Sequence, residues 1–419
     1  MPLFEVGNDS HIASELLWGA RLNAPHASKA TLTAGLALFA GFLMLFVGGG
    51  SRFAIGLTFK PIVDHFYWDR SDLGLAVAAF QVVSAIAMFV AGFAADRIGP
   101  RLILVAGTLI SAVGIGFMAT IAVPWHALIL YGVIFAIGNG AASVIPVGVM
   151  ITRTFPNRTG LANSVVISGM SLGQLVMIGS LAAVLVTFSW QSVFILLGAA
   201  HLLVIPLLFW AIPKVQPGPS ASRPIEGLSV AEAARTPKFW VLLAVYAICG
   251  FDDFFVSTHV VAFAQDRGLA TLAAGNLLAL MGLTALLGVF VAGALSDRLG
   301  PAWPTAASFV ARILAFGLLM VDQSAVSVAV FALVFGATFL VTAPLTVLFV
   351  SEHFGLRHLG SLTGLITLVH HMSGAVGAYL GSVIFDSAGS YDVVFMIMLG
   401  SSVLALVLTW PLMRSSRAL

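Results

Sequence analysis

Charge is what this chain has least of. Asp, Glu, Lys and Arg make up 9% of its 419 residues, against 60% hydrophobic residues, and the mean hydropathy is +1.06. Soluble domains carry about 25% charged residues, so this composition cannot cover a water-facing surface. A bilayer is the natural solvent, and one integral membrane protein is expected rather than soluble domains. The single cysteine, Cys249, excludes an internal disulfide and says nothing about redox compartment. A net charge of +2 is too small to suggest a nucleic-acid partner. No P-loop is present, which argues against ATP-driven transport. There is also no His/Cys cluster at metal-ligand spacing and no dinucleotide fingerprint. Neither cofactor nor metal is expected, and no enzyme activity. The opening residues lack the basic start, apolar core and cleavage site of a signal peptide, so 1–32 read as a polar tail.

What the chain does have is long apolar runs. Twelve of them follow one another from 33–58 to 390–412, each near the ~20 residues that cross a bilayer. They are apolar all round and too long for buried strands, so helices are the only sensible form. With the N-terminus inside, Lys60, Arg70 and Arg267 fall outside, and Arg52 and Arg312 lie within spans. The other fourteen of nineteen basic residues sit on the cytoplasmic side. The excess of positive charge sets the orientation, with both termini cytoplasmic. A Pro/Gly/Ser/Ala-rich stretch, 213–238, reads as a linker whose part "SVAEAARTPK" suits a short surface helix capped by Ser229. It divides a six-helix bundle at 33–212 from another at 239–412, followed by a tail at 413–419.

The stretch "GFAADRIGPR", from Gly92, recurs as "GALSDRLGPA", from Gly293, after the second span of each half. A duplicated half-unit explains the two copies. This Gly-x-x-x-Asp-Arg-x-Gly loop, echoed at matching positions in a twelve-span chain, resembles the major facilitator superfamily. The expected fold is therefore all-α and integral to the membrane, with two pseudo-symmetric six-helix bundles rocking about a central site. Within that superfamily "GGGSRFAIGLTFKPIVDHFYWDRSDLGLAVAAF", "STHVVAFAQDRG" and "FDSAGSYD" are similar to bacterial members of the monocarboxylate and oxalate/formate porter branch. That branch often carries an arginine in mid-span eight. Here the span has no charged residue before Asp297, so a carboxylate would need its cation from elsewhere.

The resemblance implies that Asp96, with Gly92, Arg97 and Gly99, forms a conformational latch against a helix N-terminus of the other half. Asp297 and Arg298 would be its counterpart. A carboxylate gains about 0.3–1 kcal/mol at such a terminus. The bland reading is anchoring by the arginines. Arg52, in "VGGGSRFAIG", lies at membrane depth, where a charge costs about 2.5–3.5 kcal/mol and so faces a partner or wet cavity. The glycines before it are expected to thin the helix for a ligand or water. Anion binding and snorkelling to the interface both fit Arg52. Asp252 and Asp253 fall in mid-span seven, where two ionised carboxylates are unfavourable and proton uptake is expected. His259 lies seven residues on, on the same face. A structural ion pair with Arg52 or Arg312 is the competing reading. His370 and His371, in span eleven, suit a second proton site or an interhelical hydrogen bond equally. Tyr131, Asn139 and Gln174 are polar groups at useful depth, for packing or for substrate.

The expected function is proton-coupled transport of a small organic anion, a monocarboxylate, by a monomer in a bacterial inner membrane. Anion and proton together would neutralise the cavity. An exporter of drug-like or cationic compounds, a proton-independent facilitator for a neutral solute and a non-transporting receptor on the same scaffold stay open.

Overall fold

The computed structural model describes residues 10–155, 159–212, 227–355 and 357–415. Helices account for nearly all of these, with no strand among the described residues. Eleven helices are long and apolar enough to cross a membrane: α1 (Leu32–Phe66), α2 (Arg70–Ala95), α3 (Pro100–Thr120), α4 (Pro124–Ile151), α5 (Ala162–Thr187), α6 (Trp190–Ala211), α7 (Pro237–Asp266), α8 (Thr271–Leu299), α9 (Ala302–Val321), α11 (Leu359–Ala388) and α12 (Asp392–Met413). A bent pair, Ala325–Phe339 with Pro344–Phe354, supplies the twelfth as α10.

Three details depart from the sequence expectation. The first span continues to Phe66, because Lys60 at its far end is paired with Asp64 and Asp266, each at 3.2 Å, and does not terminate it. Its helix also begins at Ser10, so the expected polar tail is continuous with it. The tenth span is broken rather than straight, bending by 40° before Pro344; the proline cannot donate to the preceding turn. Of the expected linker, 213–238, residues 213–226 lie outside the described residues. Its later part forms the expected short helix, Val230–Ala233. Ser229 accepts from the Glu232 backbone, and the Glu232 side chain accepts from the Ser229 backbone. Those bonds from Ser229 hold the exposed Glu232 carboxyl below its ordinary range.

The repeated loop has a backbone reason. Helices α2 and α8 both stop at a glycine with positive φ, Gly99 at 90° and Gly300 at 79°, and each donates its N–H to the carbonyl four residues back. A proline follows in both copies. A side chain at either glycine would be strained.

The cores distinguish the two ends of the molecule, called here the loop face, which carries the two copies, and the far face. Toward the far face, one apolar cluster joins both halves, running from Phe59 and Phe80 through Phe194 to Phe255, Phe331 and Phe395. Toward the loop face each half has its own cluster, around Met44 and Met150 in one and around Phe239 and Phe349 in the other. On α1 every residue from Phe53 to Phe59 is buried, and on α7 every residue from Asp252 to Ala264. The halves thus share one apolar core at the far face and keep separate cores at the loop face.

Candidate functional site: a charge cluster where the closed end begins

Both buried stretches start at the same level. Arg52 immediately precedes Phe53 on α1, and Asp252 opens the buried run on α7. Close helix approach builds this level. A Cβ on Gly250 would overlap the His370 backbone, and one on Gly377 the Phe251 backbone, so α7 and α11 are drawn together by missing side chains. The result places Arg52, His370 and His371 around the ring of Phe254. That ring lies 4.9 Å from the Arg52 guanidinium and 5.5 and 5.2 Å from the two imidazoles.

Arg52 has little to bind. Its Nη2 lies 3.5 Å from His371 Nε2, and its buried Nε has no hydrogen-bond partner. No carboxylate lies within 4.0 Å of it among the described residues. The preceding glycines do not open the helix as expected. Side chains on Gly49 and Gly50 would collide with the Met170 backbone and the Met177 side chain of α5, so these glycines serve close packing. Tyr131, on a π-helical stretch of α4 (Leu128–Phe135), donates to the Arg52 carbonyl at 3.1 Å and fixes the backbone that carries the guanidinium. Asn139 lies beside Gly48, one turn from Arg52. Gln174 instead bridges the halves, donating to the Leu278 carbonyl of α8 at 2.9 Å.

The two aspartates are occupied. Arg312 of α9, fully buried, contacts Asp253 at 2.6 Å and Asp252 at 3.7 Å, and it also donates to Thr338 Oγ1 at 3.1 Å. Asp252 accepts from Ser402 of α12 at 3.0 Å. The Cys249 thiol reaches Asp253 at 3.3 Å, and His370 Nε2 stands 3.8 Å from the same carboxylate oxygen. Sulfur, carboxylate and imidazole thus converge within 4.8 Å. Arg312 already supplies the positive charge there, so the arrangement is that of an ion-pair cluster rather than a metal centre. Of the sequence alternatives, the geometry brings the acids to Arg312.

His259 is not with them. It is fully buried beside α11, with Nε2 2.9 Å from the Ala378 carbonyl and Nδ1 3.0 Å from the Tyr391 hydroxyl. The carbonyl requires a proton on Nε2, so Nδ1 accepts from Tyr391. Tyr391 in turn accepts from Arg70 at 2.5 Å, Arg70 pairs with Asp266 at 2.5 Å, and its guanidinium covers the Phe385 ring at 3.5 Å. The Asp386 carboxylate of α11 caps α2, accepting from the backbone of Arg70 at 2.9 Å and of Ser71 at 2.8 Å. These far-face residues escaped the sequence reading because charges at span ends are ordinary. The available signal was a pairing of signs, Lys60 and Arg70 in one half with Asp266 and Asp386 in the other.

At the loop face, Gly92 packs tightly: a Cβ there would stand 2.7 Å from Ile145. Arg97 lies over the Phe93 ring at 4.0 Å. The side chain of Asp96 lies outside the described residues. Asp297 and Arg298 are exposed.

The profile of the Major Facilitator Superfamily matches residues 41–275 and 242–418. The chain belongs to that superfamily. It is similar to the uncharacterized transporter YcxA of Bacillus subtilis, 26% identical over 374 residues that cover 84% of this chain and 88% of YcxA. It is also similar to human monocarboxylate transporter 11, 24% identical over 364 residues, 84% of this chain and 77% of the relative. Among solved structures, a bacterial homologue of the lysosomal transporter Spinster, titled inward-facing and unoccupied, superposes with a TM-score of 0.69. Its identity is 18%, with 90% and 95% of the two chains covered, a likeness of fold alone. The chain is thus an integral membrane protein of a transporter superfamily.

Proposed function

We propose that this transporter carries a small organic anion, a monocarboxylate, together with a proton by alternating access. The observation that carries this reading is Arg52, a cation at membrane depth with no carboxylate within 4.0 Å among the described residues and with an unpaired buried Nε. Such a charge is costly unless something anionic completes it. The contrast with Arg312 supports the choice, since that arginine is already balanced by two acids. The acid pair is correspondingly less available to hold a cationic compound, which weighs against the exporter reading. In the orientation proposed from the positive residues, the loop face, where the halves keep separate cores, is cytoplasmic, and the conformation described here faces inward.

The test is uptake of labelled acetate, lactate and pyruvate into proteoliposomes, with and without an inward proton gradient. Wild-type protein should accumulate at least one acid. Arg52→Gln should lower uptake by at least a hundredfold, equivalent to about 2.7 kcal/mol, while the protein stays folded. Full uptake by that variant would overturn the assignment.

A further inference from the structure

The state of His371 can be read from its neighbours. Its Nδ1 lies 2.9 Å from the Thr367 carbonyl, an acceptor with no proton to give, so Nδ1 carries the hydrogen. The other nitrogen, Nε2, is the one 3.5 Å from Arg52 Nη2. Since arginine only donates, Nε2 must present a lone pair. The imidazole is therefore neutral in this conformation and occupies a guanidinium N–H. His370 is oriented differently. Its Nδ1 lies 3.2 Å from the Tyr246 carbonyl, and its Nε2 faces Asp253 rather than Arg52. A proton on His370 would free no arginine N–H. One on His371 would.

We propose that His371 holds the place of the substrate carboxylate on Arg52 and is the group that takes the coupling proton. This deepens the anion reading of the same site and rests on it. In the exchange one N–H bond forms, on Nε2 of His371, and one bond breaks, between the proton and the hydronium or buffer acid that delivers it. A proton from solution binds Nε2, the Arg52 N–H loses that acceptor, and an incoming carboxylate takes its place between guanidinium and imidazolium. Two cations at this separation repel in a poorly screened site, so the protonated histidine needs the anion, and the anion binds better beside it. Each ligand raises the affinity of the other by the same factor. The charge of the pair plus its ligands is the same empty and loaded, which lets both forms reorient. The charged and titratable groups around His371 are Arg52 on α1, His370 beside it on α11 and, beyond His370, Asp253 with Arg312. Phe254 covers the α7 side with an uncharged ring.

Three preparations separate the outcomes: wild type, His371→Asn and His370→Gln. In wild type, adding lactate to weakly buffered detergent-solubilised protein with a pH dye should draw about one proton from solution per anion bound. Exchange of labelled for unlabelled lactate across proteoliposomes should proceed as well. His371→Asn has no imidazolium beside the anion, so it should bind lactate more weakly, retain only a weakened exchange that needs higher lactate, and lose both proton uptake and gradient-driven accumulation. His370→Gln should keep all three. Accumulation driven by the gradient in folded His371→Asn would overturn the proposal and leave the Arg52 reading standing. Acid binding without proton uptake in wild type would do the same, independent of how any variant folds. If wild type binds and exchanges none of acetate, lactate or pyruvate, the anion reading fails, and this proposal with it.

Discussion

The far end and the loop end of this protein are built on different principles. At the far end a single apolar core spans both halves, roofed by Arg70, Asp266, Asp386 and Tyr391. At the loop end the halves keep separate cores, and Asp297 and Arg298 stand exposed. Apolar burial is not directional, so a shared core alone would not define how the halves meet. The charged contacts above it fix the register. Opening the far end would separate Arg70 from Asp266 and the α2 backbone from Asp386, exchanging these contacts for water. The charge cluster sits between the two regimes, below the shared core and above the separate ones.

The largest effect should come from the pair that makes the second half rigid. Arg312→Gln leaves Asp252 and Asp253 buried without a counter-ion, and removing one partner of such a pair costs about 3–5 kcal/mol. The expected result is a large drop in thermal midpoint in detergent, with poor recovery from the membrane. Asp253→Asn should cost less, because Asp252 remains to face the guanidinium. A folded Arg312→Gln with an unchanged midpoint would mean that the ion pairs do not hold α9 to α7.

A smaller effect is expected at the roof. Asp386 caps α2 across the boundary between halves, and a lost cap costs about 1–2 kcal/mol. Asp386→Ala, which removes both acceptor oxygens, should therefore move the balance toward far-open forms by roughly tenfold, since about 1.4 kcal/mol is a factor of ten. Hydrogen–deuterium exchange over Asp252–Ala264 reads this directly, because those residues are buried only while the far end is closed. Exchange should rise there and stay unchanged around Phe349, whose core belongs to one half alone. Equal rises in both places would erase the distinction between the two ends.

These contrasts also show what sequence alone conveys. Membrane spans were legible because burial in lipid demands long uninterrupted apolar runs, and the doubled loop because both copies need glycine at a positive φ. Arg52 stood out as a charge where charge is expensive. What could not be read was pairing. Nothing in one dimension says that Asp253 meets Arg312, 59 residues away, or that His259 faces Tyr391 rather than the acids one helix turn pair below. Helical periodicity placed Asp252 and His259 on one face, and neighbouring helices then assigned that face different partners at different depths. The glycines before Arg52 misled for a related reason. A missing side chain signals close approach, and only the fold reveals that a helix, not a ligand, approaches.

The two loop copies allow the finest comparison, because the same substitution should have different consequences in each. Gly92 and Gly293 both lie inside helices, where replacing glycine by alanine gains about 1 kcal/mol of helix propensity at an open site. Gly293 is such a site, with no atom within 4 Å of an added Cβ, so Gly293→Ala should leave the thermal midpoint unchanged or raise it slightly. At Gly92 the added methyl would stand 2.7 Å from Ile145 Cγ2 on α4. The isoleucine has to move to admit it, and overpacking of this kind costs about 1–3 kcal/mol. Gly92→Ala should therefore lower the midpoint by a few degrees despite the better propensity. Ile145→Ala in the same chain should restore part of the loss, by removing the Cγ2 methyl that the added Cβ meets. Identical responses from both copies would show that the first loop is no more tightly packed than the second, and that the asymmetry between them lies elsewhere.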